Sequence, residues 1–102
     1  MNMTREATIG TFNFRGKEYN IAVLNCYTPW NAHLSVDVLD KQGRSYYQKS
    51  VQLETGQHEL VFNLPKLHSG SYNVWISLGE KTAIQTIEVP KAKGSFFTRL
   101  LG

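Results

Sequence analysis

Leu67-His68-Ser69-Gly70-Ser71-Tyr72-Asn73-Val74-Trp75-Ile76 sets a turn, a tyrosine and a two-residue period side by side. Gly70 supplies the backbone freedom that a sharp corner needs. Beyond it, Tyr72, Val74, Ile76 and Leu78 fall on one face of a strand, while Ser71, Asn73, Trp75 and Ser77 fall on the other. A tyrosine just past such a corner buries its ring and returns its hydroxyl to nearby backbone, a device of two-sheet β-sandwiches. The stretch therefore predicts an all-β chain with Trp75 on the outer side of its strand.

Toward the C-terminus, Gly79-Glu80 turns the chain into a return strand from Thr82 to Val89, stopped by Pro90. Toward the N-terminus, Leu64-Pro65-Lys66 ends a strand in which His58, Leu60 and Phe62 alternate with Glu59, Val61 and Asn63, and Glu54-Thr55-Gly56 is the turn before it. The preceding strand, about Arg44 to Leu53, contains Tyr46 and Tyr47. A single alternation cannot turn Tyr46, Val51 and Leu53 all inward, so a β-bulge is expected there. Asp40-Lys41-Gln42-Gly43 reads as a type I turn closed by a glycine bulge, following a strand at His33–Leu39 with Leu34, Val36 and Val38 inward. Cys26-Tyr27-Thr28-Pro29-Trp30-Asn31-Ala32 breaks the pattern at its proline and leaves Trp30 in a loop. The first hairpin spans about Ala7 to Asn25: Ile9, Phe12 and Phe14 lead into a tight turn at Arg15-Gly16, and Tyr19, Ile21 and Val23 lead out.

Seven or eight short strands at regular intervals, with no helix in the core, predict an antiparallel two-sheet sandwich of immunoglobulin-like type, or a small barrel. The expected core is Phe12, Tyr19, Ile21, Val36, Val38, Leu60, Phe62, Tyr72, Val74 and Ile76.

A chain of 102 residues can build one such core without a disulfide or metal, and the lone Cys26 has no partner for one. Residues 1–90 read as the sandwich domain and 91–102 as a tail. Residues 1–6 lack the apolar run of a secretory signal, and no window approaches the roughly 20 apolar residues of a membrane span. Eleven Lys and Arg against eight Asp and Glu leave a formal charge of +3. The basic residues are scattered, whereas a nucleic-acid-binding domain concentrates them in a stripe.

Only the tail gathers them, with Lys91, Lys93 and Arg99 unopposed by acid. Lys91-Ala92-Lys93-Gly94 reads as a linker to Ser95-Phe96-Phe97-Thr98-Arg99-Leu100-Leu101-Gly102. Ser95 can cap one helical turn that sets Phe96, Phe97, Leu100 and Leu101 on one apolar side. A single turn is unstable alone. The tail is read either as a cover over the sandwich or as a docking peptide. Burial at roughly 1.5–3 kcal/mol per side chain, before ordering costs, suffices to anchor it in a partner's groove.

From Leu34 onward the pattern resembles the C-terminal sorting domain of type IX secretion cargo in Bacteroidetes. The matching positions are Asp40, Gly43 and Arg44 in one turn, then Leu67, Gly70, Tyr72, Val74 and Ile76, and finally Ile87 and Val89 in the closing strand. The resemblance implies an immunoglobulin-like sandwich that trails an exported cargo. It also implies recognition by an outer-membrane shuttle, with removal or lipid attachment at the cell surface.

For chemistry, His33, His58 and His68 lack the spacing of a metal or acid–base motif, and Cys26 lacks a nucleophile signature. The chain is therefore read as non-enzymatic, with no catalytic residues, no metal site and no cofactor. Its expected role is a protein-interaction or assembly module in a secretion, cell-surface or virion complex, as a homo-oligomer or part of a larger assembly. The expected binding residues are Trp30, Trp75, Phe96, Phe97, Arg99, Leu100 and Leu101, with Tyr46 or Tyr47 and Trp30 extending the Trp75 patch. Two alternatives use the same aromatics: a carbohydrate-binding sandwich, in which flat rings stack on sugars, and a small barrel binding single-stranded nucleic acid.

Overall fold

The computed structural model describes residues 6–16 and 18–91. Those residues form strands β1 (Thr8–Ile9), β2 (Asn13–Arg15), β3 (Ile21–Thr28), β4 (Ala32–Leu39), β5 (Ser45–Leu53), β6 (Gly56–Asn63), β7 (Gly70–Leu78) and β8 (Lys81–Val89). In the first sheet β3 is central, with β6 along one side and β1 and β2 in succession along the other; the second sheet runs β5-β4-β7-β8. Every pairing is antiparallel. Both sheets stay open, so the arrangement is the predicted sandwich and not the barrel. Among the described residues no helix is long and apolar enough to cross a membrane.

The core lies where the inner faces meet. Leu34, Val36 and Val38 of β4 and Tyr72, Val74, Ile76 and Leu78 of β7 are buried against Ala22, Leu24 and Cys26 of β3 and Phe62 of β6. These are the alternate positions of each strand, because successive side chains point to opposite faces.

The expected corner is present. Gly70 has φ 141°, a conformation that a side chain disfavours, and the Tyr72 hydroxyl donates to the His68 carbonyl at 2.8 Å. Burial pushes the Tyr72 phenol's pKa up, so the hydroxyl stays a donor. Tyr72→Phe should keep the fold and lower stability by about 0.5–1.5 kcal/mol; an unchanged urea midpoint would show that this bond contributes nothing.

The bulge is present as well. Val38 pairs with Tyr47 and Leu39 with Ser45, leaving Tyr46 as the extra residue. It lets both tyrosines turn inward: Tyr46 meets Tyr72 with ring centroids 5.6 Å apart, and Tyr47 meets Phe62 at 6.4 Å. Neither tyrosine extends an outer patch, contrary to the expectation above.

The first hairpin departs further from its sequence reading. β1 and β2 are separate short strands, and Arg15 pairs directly with Ile21, so the connection occupies positions 16–20 where a two-residue turn was expected. Tyr19 lies within it at φ 55° and packs on Phe14 with centroids 5.0 Å apart. The longer loop shifts the phase of β3 by one residue. Ala22, Leu24 and Cys26 therefore face the core, and Ile21 is 36% exposed instead of buried.

The break between β1 and β2 is held from the opposite sheet. Gln85 of β8 accepts from the Phe12 amide and donates to the Gly10 carbonyl, both at 2.8 Å. One side chain thus completes backbone hydrogen bonds that the interrupted strand does not make.

Candidate functional site

The registers sort the loops into two ends. Connections at 16–20, 40–44 and 64–69 lie at one end with the exit of β8, and those at 29–31, 54–55 and 79–80 lie at the other with Glu6 and Ala7.

At the first end, the Asp40 side chain closes the β4–β5 turn. Its Oδ1 accepts the Gln42 and Arg44 amides at 2.9 Å each, and its Oδ2 accepts Arg44 Nε at 2.7 Å. The Gly43 amide donates to the Asp40 carbonyl at 3.0 Å with Gly43 at φ 85°, as the turn-plus-bulge reading requires. Burial by itself would raise the Asp40 pKa, but the Arg44 and Gln42 amides and the Arg44 guanidinium outweigh it and hold the carboxyl below its ordinary 3.8. A depressed pKa stabilises the fold at every pH above 3.8 and ceases to as pH falls through the lower folded value. Denaturant midpoints of wild type and Asp40→Asn should therefore differ by a constant amount near neutrality and converge below pH 3.8. A pH-independent difference would remove the carboxylate from the account.

The β6–β7 corner sits beside this turn through the Tyr46–Tyr72 contact, and Leu67 is buried within it. Lys41, Lys66 and Lys91 are exposed at this end, with Glu18 and Glu88 as opposing charges. The opposite end carries the exposed Glu6, Glu54 and Glu80, offset by Lys81. The chain is thus polarised along the strands, basic at one end and acidic at the other.

Trp30 belongs to the acidic end. Thr28 Oγ1 donates to the Trp30 carbonyl at 2.6 Å, and Asn31 Oδ1 accepts the Thr55 amide at 3.2 Å, which ties this loop to the β5–β6 turn. The Trp30 ring is 63% exposed and borders an open hollow of about 530 Å³ over Thr28, Ala32 and Leu78. Trp75 lies elsewhere, 48% exposed in the middle of the second sheet's outer face, in register with Asp37 on β4 and Ile84 on β8. The two tryptophans consequently form separate surfaces. Phe96, Phe97, Arg99, Leu100 and Leu101 lie outside the described residues.

Ile84 is 55% exposed beside Trp75 and was missed as a site residue, although the alternation of β8 sets it opposite to Ile87 and Val89. On the first sheet's outer face Val61 is 59% exposed. Cys26 pairs in register with His58 across β3 and β6, but the thiol is buried and its pKa is raised by burial, which disfavours a nucleophilic thiolate. His58 Nε2 is engaged with the Glu54 carbonyl at 2.7 Å. His33 is on β4 and His68 in the β6–β7 corner at the other end. No three His, Cys, Asp or Glu side chains gather as a metal set among the described residues.

No curated protein matches the chain. The family model described as the secretion system C-terminal sorting domain matches residues 8–89, from the first residue of β1 to the last of β8. Every strand lies inside that match, as do the Asp40 turn and the Tyr72 corner on which the resemblance rested. The chain therefore belongs to the secretion system C-terminal sorting domain family, and its role is that of a secretion-related sorting signal.

Proposed function

We propose that the chain is a protein-interaction module whose basic end is the surface read by the secretion machinery. The observation that carries this reading is convergence: Asp40, Gly43 and Arg44 from one loop and Leu67, Gly70 and Tyr72 from another meet at a single end. Each of these residues also has a structural task, closing a turn or a corner. Together they hold those loops in fixed shapes and so present Lys41 and Lys66 as preorganised cations, with Lys91 beyond the exit of β8 at the same end. Such a surface suits an acidic protein partner, where charge steers the encounter and hydrophobic anchors slow dissociation. The role requires no catalytic centre.

The test is export of a reporter joined upstream of this chain in a bacterium that carries the type IX system. Replacing Lys41, Lys66 and Lys91 together by Glu should lower surface-delivered reporter at least about tenfold, as expected when a steering patch is reversed, while the thermal midpoint stays near wild type. A version ending at Lys91 reports separately on residues 92–102. Wild-type export from a folded triple variant would sink the basic-end assignment.

A further inference from the structure

We infer that the outer face of the second sheet at Trp75 is a binding site for a neutral, pyranose-based glycan. In register across β5, β4, β7 and β8 stand Gln48, Asp37, Trp75 and Ile84. Neighbouring strands are about 4.8 Å apart, so a sugar ring laid on the Trp75 indole brings its edge hydroxyls over the next two strands. There it meets a carboxylate and an amide already fixed in place. Asp37 Oδ1 accepts from Ser45 Oγ at 2.6 Å, and Oδ2 accepts from Gln48 Nε2 at 3.3 Å. Each carboxylate oxygen keeps a free lone pair for a sugar hydroxyl.

A hollow of about 290 Å³ adjoins this pair, bordered by Ser35 and Ser50 as well as Asp37 and Gln48. Its size fits part of a saccharide, and its border offers hydroxyl and amide partners. Lys49 borders it too, but in register with Val36 it stands on the inner side of the sheet, away from Asp37. Asp37, with Glu88 farther along the same side of the sheet, makes this face negative, which favours a neutral glycan over uronate or phosphorylated sugars. Ser77 and Thr82 continue the neutral row across the sheet. A protein interface would place a broader apolar core around its anchor; here, among the described residues, only Ile84 joins Trp75 as an exposed large apolar side chain on this face. An amphipathic ligand with one apolar face and a hydroxylated edge matches this composition better. The inference does not rest on the basic-end reading, which concerns another surface.

The experiment is a titration of the 15N-labelled full chain with a panel of neutral hexasaccharides (gluco-, manno-, galacto- and N-acetylglucosamine series) and with polygalacturonate. At least one neutral sugar should shift the Trp75 indole N–H signal, and both Trp75→Ala and Asp37→Ala should weaken that binding at least about tenfold. Trp75→Phe should bind with intermediate strength because it keeps a stacking ring, and Trp30→Ala should bind like wild type. The exposed position of Trp75 makes folded variants available for the comparison. The proposal is overturned if no sugar moves the Trp75 signal at about 10 mM, well above the range of a useful site. It is equally overturned if binding survives Trp75→Ala, if only the acidic polymer binds, or if the signal shifts with protein concentration alone, which would assign the face to a second copy.

Discussion

Leu24→Ala should lower stability by about 2–5 kcal/mol, whereas Ile21→Ala, three residues earlier on the same strand, should cost less than about 1 kcal/mol. Leu24 is completely buried between the sheets, in register with Leu60 of β6, and its truncation removes packed methyl groups from a closed site. The loss combines the transfer energy of those groups with a cavity that rigid strands on both sides refill poorly. Ile21 is 36% exposed on the outer face, and solvent replaces much of what its truncation removes. Urea titrations of the two variants measure both values. The reverse order would mean that β3 runs in the opposite phase, which would displace Cys26 and Thr28 from the interior as well.

Gln85→Leu should cost about 2–4 kcal/mol although it adds apolar surface, because it strips partners from the Phe12 amide and the Gly10 carbonyl. A lost hydrogen bond is modest, but a shielded backbone group left without any partner bears its full desolvation cost. Two neighbours make that outcome hard to evade. Gly10 donates to the Asn25 carbonyl at 2.8 Å, and a Cβ at position 10 would lie 2.6 Å from that oxygen, so the segment is pressed close to β3. Phe12 is buried against Phe62 with centroids 5.8 Å apart, so it cannot swing out to water without opening the core. Gln85→Glu separates the two bonds: a carboxylate still accepts from Phe12 but faces the Gly10 carbonyl with no donor. Its midpoint at neutral pH should fall between wild type and the leucine variant or below both. Hydrogen exchange at the Phe12 amide should quicken in Gln85→Leu ahead of the rest of the sheet. Equal protection in wild type and Gln85→Leu would show that the clamp is dispensable.

The Tyr72 corner, the Asp40 turn and the outward Trp75 were legible because each is encoded within ten residues or fewer. Gly at a fixed offset from Asp or Tyr, followed by a period of two, leaves the local backbone few choices. The Tyr46 bulge was also readable, since the sequence offers three inward candidates that one alternation cannot reconcile. The phase of β3 was not. Ile21, Val23 and Leu24 are all apolar, so both phases look acceptable, and the choice depends on a loop whose length is set by Tyr19 packing on Phe14.

The candidate surfaces divide in the same way. Chain alone was enough for an all-β sandwich, its family and the exposure of Trp30 and Trp75, because those follow from short-range patterning in which every local preference agrees. Which residues share a surface depended on strand order. Pairing β7 between β4 and β8 joins Trp75 to Asp37 and Ile84 and separates it from Trp30, while antiparallel pairing brings the Asp40 and Tyr72 loops to one end. Gln85 reaches Gly10 and Phe12 across 75 and 73 positions of sequence. Such contacts arise only when the two sheets close on each other, since no local preference can specify a partner that distant.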